Sequence, residues 1–465
     1  PFLKLGNNSI TIGKVFGDRN EISGYNLYKY TAPEDGTLEV TANSNGHNTC
    51  GTLWENPTAA SRLTYNDSGN LSDFKIIYTV TKGTTYYIGA REFFGKAIEG
   101  EVKLNVKMNG LDGELPTGMT GKGTEAEPFE LKTAEHLAWF RDFVNEGNME
   151  ACAKIADDVK EIDMSTVGHK ADAEKQVEEL SWTPIGNYSK QYQGTFDGNG
   201  KTIRNLFISS TSNEIGFFGY AADCRIKNIT FDNAKVKNTN KFGTGILTGG
   251  FEGTIENIKI LANCSVEGKN YVGGIAGRAN GDIDNCENHA MVNGANFVGG
   301  IVGEYTYSGK SITSCANYGA VTGTYSQVGG MVGYFDSGTI QNSANYGDIT
   351  GADIVGNLIG NGYICNLNNV LGTGNVTATS TSRNPAGLLV GNIENSSSTA
   401  SGILAYNSSA KLTINGAEQT GEAVKAIGEG SLTYPEGVNE ADVIKAFTKQ
   451  QIKSGEVAYL LAEGK

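Results

Sequence analysis

The phrases Gly-Gly-Ile-Ala-Gly at 273–277, Gly-Gly-Ile-Val-Gly at 299–303 and Gly-Gly-Met-Val-Gly at 329–333 decide the fold. Looser copies of this glycine phrase stand at 215–219, 245–249, 356–360 and 387–391, so its last glycine recurs every 26 to 31 residues. Self-similarity at such a period is typical of solenoids and repeat arrays. We therefore interpret 211–420 as one repeat domain.

Two further phrases follow each of the three central copies. The first reads Ile-Asp-Asn-Cys-Glu-Asn at 283–288, Ile-Thr-Ser-Cys-Ala-Asn at 312–317 and Ile-Gln-Asn-Ser-Ala-Asn at 340–345. The second reads Val-Asn-Gly at 292–294, Val-Thr-Gly at 321–323 and Ile-Thr-Gly at 349–351. Three short apolar segments per repeat, separated by turns, predict a three-sided parallel β-helix, right-handed by default, whose equivalent residues stack about 4.8 Å apart.

Polar residues also recur at fixed places in the repeat. Asn288, Asn317 and Asn345 share one register, meaning that they stack in successive coils, and we expect a structural ladder of amides there. Cys286 and Cys315 share the next register. Their spacing allows a disulfide, but we favour stacked free thiols that pack as small apolar groups.

His289, Tyr318 and Tyr346 occupy a register that we expect to face outward. A stripe of aromatic rings is able to stack on sugar rings, and it is also able simply to shield the backbone. Both readings stay open, and these three residues are the predicted ligand-binding site.

The rest of the chain divides into four segments: 1–108 as a β-sandwich, 109–126 as a linker, 127–210 as a capping helix with an irregular first coil, and 421–465 as a C-terminal capping segment. The predicted helix begins after Thr133 and carries an apolar face, with His136 expected on its exposed side. Asp442 to Phe447 and Glu456 to Leu461 are predicted as short helices that cover the far end. The predicted fold class is thus mostly β, with helical caps.

The order of parts after residue 120 resembles a known family. A helix, Trp-Thr-Pro-Ile-Gly at 182–186, Gly-Thr-Phe-Asp-Gly-Asn-Gly at 194–200 and then the glycine phrases are similar to the GLUG-repeat proteins of bacterial cell surfaces, over roughly 120–400. That resemblance implies an adhesin-like role. The strands from Tyr28 to Thr41, with Tyr-Tyr-Ile at 86–88, resemble the pre-peptidase-type and carbohydrate-binding-like sandwiches of secreted proteins.

Composition excludes several classes of function. A formal net charge of −14 argues against nucleic acid as a partner, because phosphate binding needs a basic face. No run of 18 apolar residues exists, so we expect no membrane span. The seven cysteines form no Cys-x-x-Cys pair and the four histidines fall in unrelated registers, so we expect no metal and no cofactor. The chain opens without Met, and we expect a targeting segment to be missing from it.

These observations favour a non-enzymatic, secreted or cell-surface protein that acts as a monomer and binds a host surface protein or a glycan, through the β-helix face or the N-terminal sandwich. The alternative is a lyase or hydrolase that degrades polysaccharide. Such an enzyme needs carboxylates or basic residues gathered on adjacent coils, whereas the repeated phrases align Asn, Ser, Thr and Gly. Asp197 lies between turn glycines, and we interpret it as turn chemistry. No catalytic residue is therefore predicted.

Overall fold

The structure is a computed structural model that describes residues 2–463 except 18–20, 34, 57–61, 68–72, 109–114, 171–178, 240–241 and 381–384. The chain forms two compact units, Pro1–Thr117 and Gly118–Lys465. The first consists of antiparallel sheets and the second is a parallel β-solenoid with a few short helices. The predicted fold class is confirmed. Residues 109–114 of the predicted linker lie outside the described residues.

The first unit packs two four-stranded antiparallel sheets face to face. One sheet contains, in spatial order, Gly6–Ile10, Val102–Met108, Gly36–Asn43 and Lys75–Val80. The other contains Asn26–Thr31, Thr85–Glu92, Thr49–Trp54 and Thr64–Asp67. Inward side chains of both sheets, such as Leu38 and Ile88, share one fully buried core, as the period-2 alternation of strands like Val102–Met108 requires.

The second unit winds through three sheets. The shortest sheet contains Phe242–Thr244, Asn270–Gly273, Asn296–Gly299, Ser326–Gly329, Asp353–Gly356 and Ala386–Gly387. The second contains Phe207–Ser210, Lys235–Asn238, Ser265–Glu267, Met291–Gly294, Val321–Gly323, Ile349–Gly351, Val376–Ala378 and Leu412–Ile414, with Ala417–Glu418 added antiparallel.

The third and longest sheet includes strands that run across a bend of the coil. It contains Phe129–Leu131, Ala153–Ile155, Glu161–Asp163, Thr195–Arg204, Phe218–Asp232, Thr248–Ile260, Ala276–Ala279, Asp282–Asp284, Glu287–Asn288, Val302–Thr313, Ala316–Asn317, Val332–Asn345, Ile359–Gly372, Val390–Ile393, Thr399–Asn407, Ile427–Glu429 and Ile444–Phe447. All of its recorded pairings are parallel, from Phe129–Leu131 against Ala153–Ile155 onward. Short 3₁₀ segments in the described part of the chain are Ile22–Gly24, in the first unit, and Met164–Thr166 and Gly421–Ala423, in the second.

The predicted register is present in the coils. Val292 pairs with Val321, and Val321 pairs with Ile349, so that aliphatic side chains stack in a fully buried column. The glycines of the repeated phrases let the backbone of one coil pack directly against the next coil and against buried side chains. A Cβ added at Gly300 would lie 2.1 Å from the Gly330 carbonyl oxygen and 2.3 Å from the Asn317 amide carbon, so only glycine fits.

Helix α1 (Ala134–Asn145) lies at the start of the second unit, and Thr133 caps it by accepting the backbone N–H of His136. Its Phe140 ring contacts the rings of Tyr192 and Phe196, which are fully buried, with centroids 6.1 and 6.0 Å away. The prediction of an exposed His136 is wrong. It is 4% exposed and its Nδ1 accepts the Lys132 N–H, because position i−4 from Phe140 lies on the buried face.

The C-terminal segment is only partly helical. Helices α2 (Glu440–Val443), α3 (Lys449–Lys453) and α4 (Glu456–Glu463) are present, and Val457 of α4 is buried against the last coils. The predicted helix up to Phe447 is wrong beyond Val443. Ile444–Phe447 is a strand that pairs with Leu404–Asn407, because an open sheet edge supplies backbone partners that a four-residue apolar run does not reveal.

Candidate ligand-binding site

His289, Tyr318 and Tyr346 lie on the turn that follows the amide-bearing strands of three successive coils. The backbone N–H of Tyr318 donates to the Asn288 carbonyl, and that of Tyr346 donates to the Asn317 carbonyl, each at 2.7 Å. The three side chains are therefore brought together in the predicted register. Tyr318 is 43% exposed and Tyr346 is 39% exposed, so the register faces outward as predicted.

The three rings form one continuous stack. The centroids of His289 and Tyr318 are 4.3 Å apart with the planes 6° from parallel, and those of Tyr318 and Tyr346 are 4.8 Å apart at 9°. The spacing follows the distance between neighbouring strands. Because the inner faces of the rings contact each other, the stack presents ring edges and hydroxyl groups outward. Only its two terminal faces lack an aromatic neighbour from within the register.

The His289 end of the stack is charged. His289 Nε2 lies 3.1 Å from Glu287 Oε2, and Lys259 Nζ lies 2.7 Å from the same oxygen. The hydrogen bond from Lys259, and then that from His289, hold the pKa of Glu287 below its ordinary value. At the other end burial raises the pKa of Tyr346, so its hydroxyl stays a neutral donor.

A cavity of about 480 Å³ adjoins the Tyr346 end. In the next coil Thr373 occupies the aromatic register, since its backbone N–H donates to the Asn345 carbonyl as those of the tyrosines do one and two coils earlier. The smaller side chain ends the stack. The cavity is lined by Asn342, Ser343, Ala344, Tyr346, Leu371, Ala458 and Leu461. Its apolar wall comes partly from α4, which the sequence predicted only as a cap.

The predicted asparagine ladder is buried directly behind this stack. Asn288 Nδ2 donates to Asn317 Oδ1 at 2.8 Å, and Asn317 Nδ2 donates to Asn345 Oδ1 at 2.7 Å. Each amide also bonds a carbonyl of its own turn, as Asn317 does with Gly319. All three side chains are fully buried, and these bonds use their amide groups internally. The ladder holds the turn that carries the aromatic rings.

The cysteines are all free and buried, as predicted. Burial raises the pKa of the Cys286 thiol well above its ordinary value, and the neighbouring Cys315 raises it by a smaller amount. Cys286 Sγ and Cys315 Sγ both donate to nearby carbonyl groups, those of Asp284 and Thr313. Buried neutral thiols of this kind are poor nucleophiles.

Asp197 has the turn role that its neighbours predicted. It accepts hydrogen bonds from the Asn199 backbone and from Asn228 Nδ2, and it lies 3.3 Å from Lys227. Burial raises its pKa, but these partners together bring the pKa below the ordinary value. Over the described ranges, no three His, Cys, Asp or Glu side chains are grouped so as to hold a metal ion.

Sequence reasoning missed one register that carries charged and aromatic groups and is exposed at some of its members, such as Arg278, and buried at others, such as Asn361. It is the residue directly after the last glycine of each glycine phrase: Tyr220, Gly250, Arg278, Glu304, Tyr334, Asn361 and Asn392. The signal was available. Extending the aligned phrase by one residue reveals a position whose chemistry changes in almost every coil while the glycine before it does not.

Comparisons with known proteins give partial matches. Over 257 residues the chain is 31% identical to halomucin of Haloquadratum walsbyi, a match covering 52% of this chain and 2% of halomucin. Over 144 residues it is 30% identical to a provisionally named Gly-rich membrane protein of Evansella cellulosilytica, covering 30% of this chain and 15% of the relative. The chain thus spans a small part of either relative. No family profile matches the chain.

Two solved structures are similar. One is provisionally named an immunoglobulin A1 protease, from Bacteroides ovatus, with 23% identity, a TM-score of 0.48 and coverage of 73% of this chain and 89% of that chain. The other is the pre-peptidase C-terminal domain of a Bacillus anthracis collagenase, with 14% identity, a TM-score of 0.18 and coverage of 23% and 92%. Within the described residues, no helix combines the length and the apolar character needed to cross a membrane.

Proposed function

We propose that the chain is part of a non-enzymatic, secreted or cell-surface protein, adhesin-like in role, whose solenoid binds glycan at the Tyr346 end of the aromatic stack. One relative is a membrane protein by name and the other is named as a mucin, which supports a location at the cell surface. The resemblance of the repeat phrases to GLUG-repeat proteins supports the same role.

The observation that carries the proposal is the cavity beside Tyr346. A sugar ring combines an apolar face with hydroxyl groups around its edge, and aromatic or aliphatic walls with a few polar groups suit it. Here Tyr346, Leu371 and Leu461 supply apolar surface, while the exposed Asn342 supplies an amide group. The tyrosine hydroxyls along the stack extend the polar contacts away from the cavity.

The test is a glycan and matrix-protein array probed with the intact chain, followed by titration of any glycan retained. We expect Tyr346→Ser to weaken binding by about tenfold or more, as loss of a central aromatic contact does. Tyr325→Ser is the matched control, because Tyr325 is 68% exposed and lies outside the stack. Retention of no glycan, or equal binding by both variants, would contradict the proposal.

A second candidate, an enzyme that cleaves polysaccharide, is favoured by Glu214. Burial raises the pKa of this carboxyl, with Arg278 opposing, and a carboxyl with a raised pKa suits a general acid. Glu214 lies on the wall of a cleft of about 390 Å³ that Trp182, Asn145 and several serines also line. Release of reducing ends or unsaturated sugars from a polysaccharide panel, abolished by Glu214→Gln, would support this candidate. No release by the intact chain would remove it.

A further inference from the structure

Two neighbouring registers of the solenoid carry side chains whose chemical type changes from coil to coil. One is the register after the last glycines, described above. The other lies at the corner before each glycine phrase and has a left-handed backbone in six successive coils: Glu214, Gly243, Tyr271, Phe297, Gln327 and Ile354, with φ between 52° and 77°. Glycine, amide, carboxylate, aliphatic and aromatic side chains all occupy this backbone position, so packing does not select the aromatic ones.

The aromatic members of the two registers form one cluster. The rings of Tyr271 and Phe297 stack with centroids 4.8 Å apart, and Phe297 meets Tyr334 at 5.9 Å, edge to face. Phe242 lies 5.5 Å from Tyr271 on the other side and is 48% exposed. The ring of Tyr220 lies across Gly250, where an added Cβ would be 2.6 Å from it. The cluster thus runs along one edge of the solenoid over several coils.

A guanidinium and a carboxylate are set into this cluster. Arg278 lies over the Tyr271 ring, 5.1 Å from its centroid, and its Nε is 2.7 Å from Glu304 Oε2. The Glu304 side chain is 11% exposed and that of Arg278 is 46% exposed. The positive charge of Arg278 is therefore matched within the edge. We call Tyr220, Tyr271, Arg278, Phe297, Glu304 and Tyr334, together with the neighbouring carboxylates of Glu214, Glu252, Asp336 and Glu394, the acidic aromatic edge.

The electrostatic balance of this edge is negative. Burial, and after it the charges of Asp336, Glu394 and Glu304, together raise the pKa of Tyr334 to about 12. Burial also raises the pKa of Tyr220, and the charges of Glu252 and Glu214 raise it by smaller amounts. Among the largest effects, only the positive charge of Arg278 lowers this pKa. Five carboxylates thus act on two tyrosines against one guanidinium that is already paired.

We propose that the acidic aromatic edge binds an extended basic segment of a partner protein, one that presents lysine or arginine side chains. Tyrosine and arginine clusters are typical of the cores of protein interfaces, and a surplus of carboxylates complements a basic partner. A sugar is disfavoured here because the faces of Tyr271 are engaged by Phe297 and Arg278. This proposal does not depend on the glycan site, which lies in a different register.

The experiment titrates the intact chain with fluorescent decalysine, with neutral Gly-Ser peptide of equal length as the reference. We expect decalysine to bind, with an affinity that falls as salt rises. Tyr271→Gln with Phe297→Gln should weaken it at least about tenfold. The fold should be retained, since Gln327 already occupies the same left-handed register. Glu214→Gln with Asp336→Asn should weaken it similarly by removing two nearby carboxylates.

The charge control is Glu422→Gln with Glu436→Gln, which removes two exposed carboxylates of the C-terminal segment. It should leave decalysine binding almost unchanged. Equal weakening by both charge variants would overturn the proposal, because attraction to the overall charge of −14 would then explain the binding. Failure to bind decalysine at low salt would also overturn it, as would a glycan whose binding is lost in the Tyr271 and Phe297 variant.

Discussion

The inward and outward registers of the solenoid obey different rules. Inward positions repeat, as in the column of Val292, Val321 and Ile349, because each side chain must fill the same space as its equivalent one coil away. Outward positions such as Arg278 and Glu304 change from coil to coil although their backbones pair in register. In a repeat protein, the coils of one chain can therefore be aligned with each other and compared position by position. A position that varies while its neighbours repeat is one that the fold leaves free.

The largest expected effect comes from breaking the inward amide ladder. Asn317→Leu removes the acceptor for Asn288 Nδ2 and the donors to Asn345 Oδ1 and to the Gly319 carbonyl, all of them buried. We expect the free energy of unfolding to fall by about 3–5 kcal/mol, measured by urea denaturation. Asn293→Leu is the control on the exposed side of the preceding coil, and we expect a change below about 0.5 kcal/mol. Equal losses would remove the distinction between the two registers.

The buried thiols predict a loss of stability at alkaline pH. Burial raises the pKa of Cys224 and of Cys365 to about 12. The unfolded value is near 8.5, so the stabilisation is fully present below that pH and is lost as pH rises toward the folded value. Between about pH 8.5 and 10, each such thiol should lower the free energy of unfolding by about 1.4 kcal/mol per pH unit.

Urea denaturation across that pH range checks this slope, and tyrosines contribute little there because their unfolded pKa is near 10. In the Cys365→Ala variant, the free energy of unfolding should fall less steeply with pH, by the contribution of one thiol, about 1.4 kcal/mol per pH unit. A slope that does not differ between the two proteins would show that Cys365 is not held neutral by burial.

The aromatic stack is expected to matter less for stability than the ladder behind it. Tyr318→Ser removes the ring that contacts His289 and Tyr346, at 4.3 and 4.8 Å between centroids. We expect a loss of about 0.5–1.5 kcal/mol, because a stacked pair at a partly exposed site contributes no more. Differential scanning calorimetry of Tyr318→Ser and of Asn317→Leu under the same conditions compares the two losses of stability. A loss as large as that of Asn317→Leu would assign the stack a structural role.

The smallest effect is expected at the corner register. Phe297→Gln places at this position the residue type that Gln327 already holds with φ at 62°. We expect the free energy of unfolding to fall by no more than about 1 kcal/mol, because the ring contacts with Tyr271 and Tyr334 are lost at a partly exposed site while the backbone is unchanged. A drop above about 2 kcal/mol would mean that the ring cluster holds the coil together and is not free for a partner.

Much of the solenoid was predictable because close packing at a fixed spacing requires similar residues at equivalent positions of successive coils. The buried amides of Asn288, Asn317 and Asn345 follow from this repetition, and so does the outward position of Tyr318. His136 did not follow, because its exposure depends on what α1 packs against. Neither did the strand Ile444–Phe447, since only a sheet edge from residues 404–407, distant in sequence, makes it extended.

The candidate site was predictable in part. The stack of rings follows from the register, whereas the cavity beside Tyr346 needs the packing of α4, which no spacing encodes. The acidic aromatic edge was missed because its members do not resemble one another. Arg278 and Glu304 stand out only when the repeats are compared for positions that differ beside a glycine that is the same in every coil.

If the fold does not need its outward aromatic residues, removing several of them together should cost little stability. Urea unfolding of one variant that combines Tyr271→Gln, Phe297→Gln, Tyr318→Ser and Tyr346→Ser measures that cost. We predict that this fourfold variant loses less free energy of unfolding than the single change Asn317→Leu, with an unchanged dependence on urea concentration. A loss equal to or larger than that of Asn317→Leu would contradict that prediction.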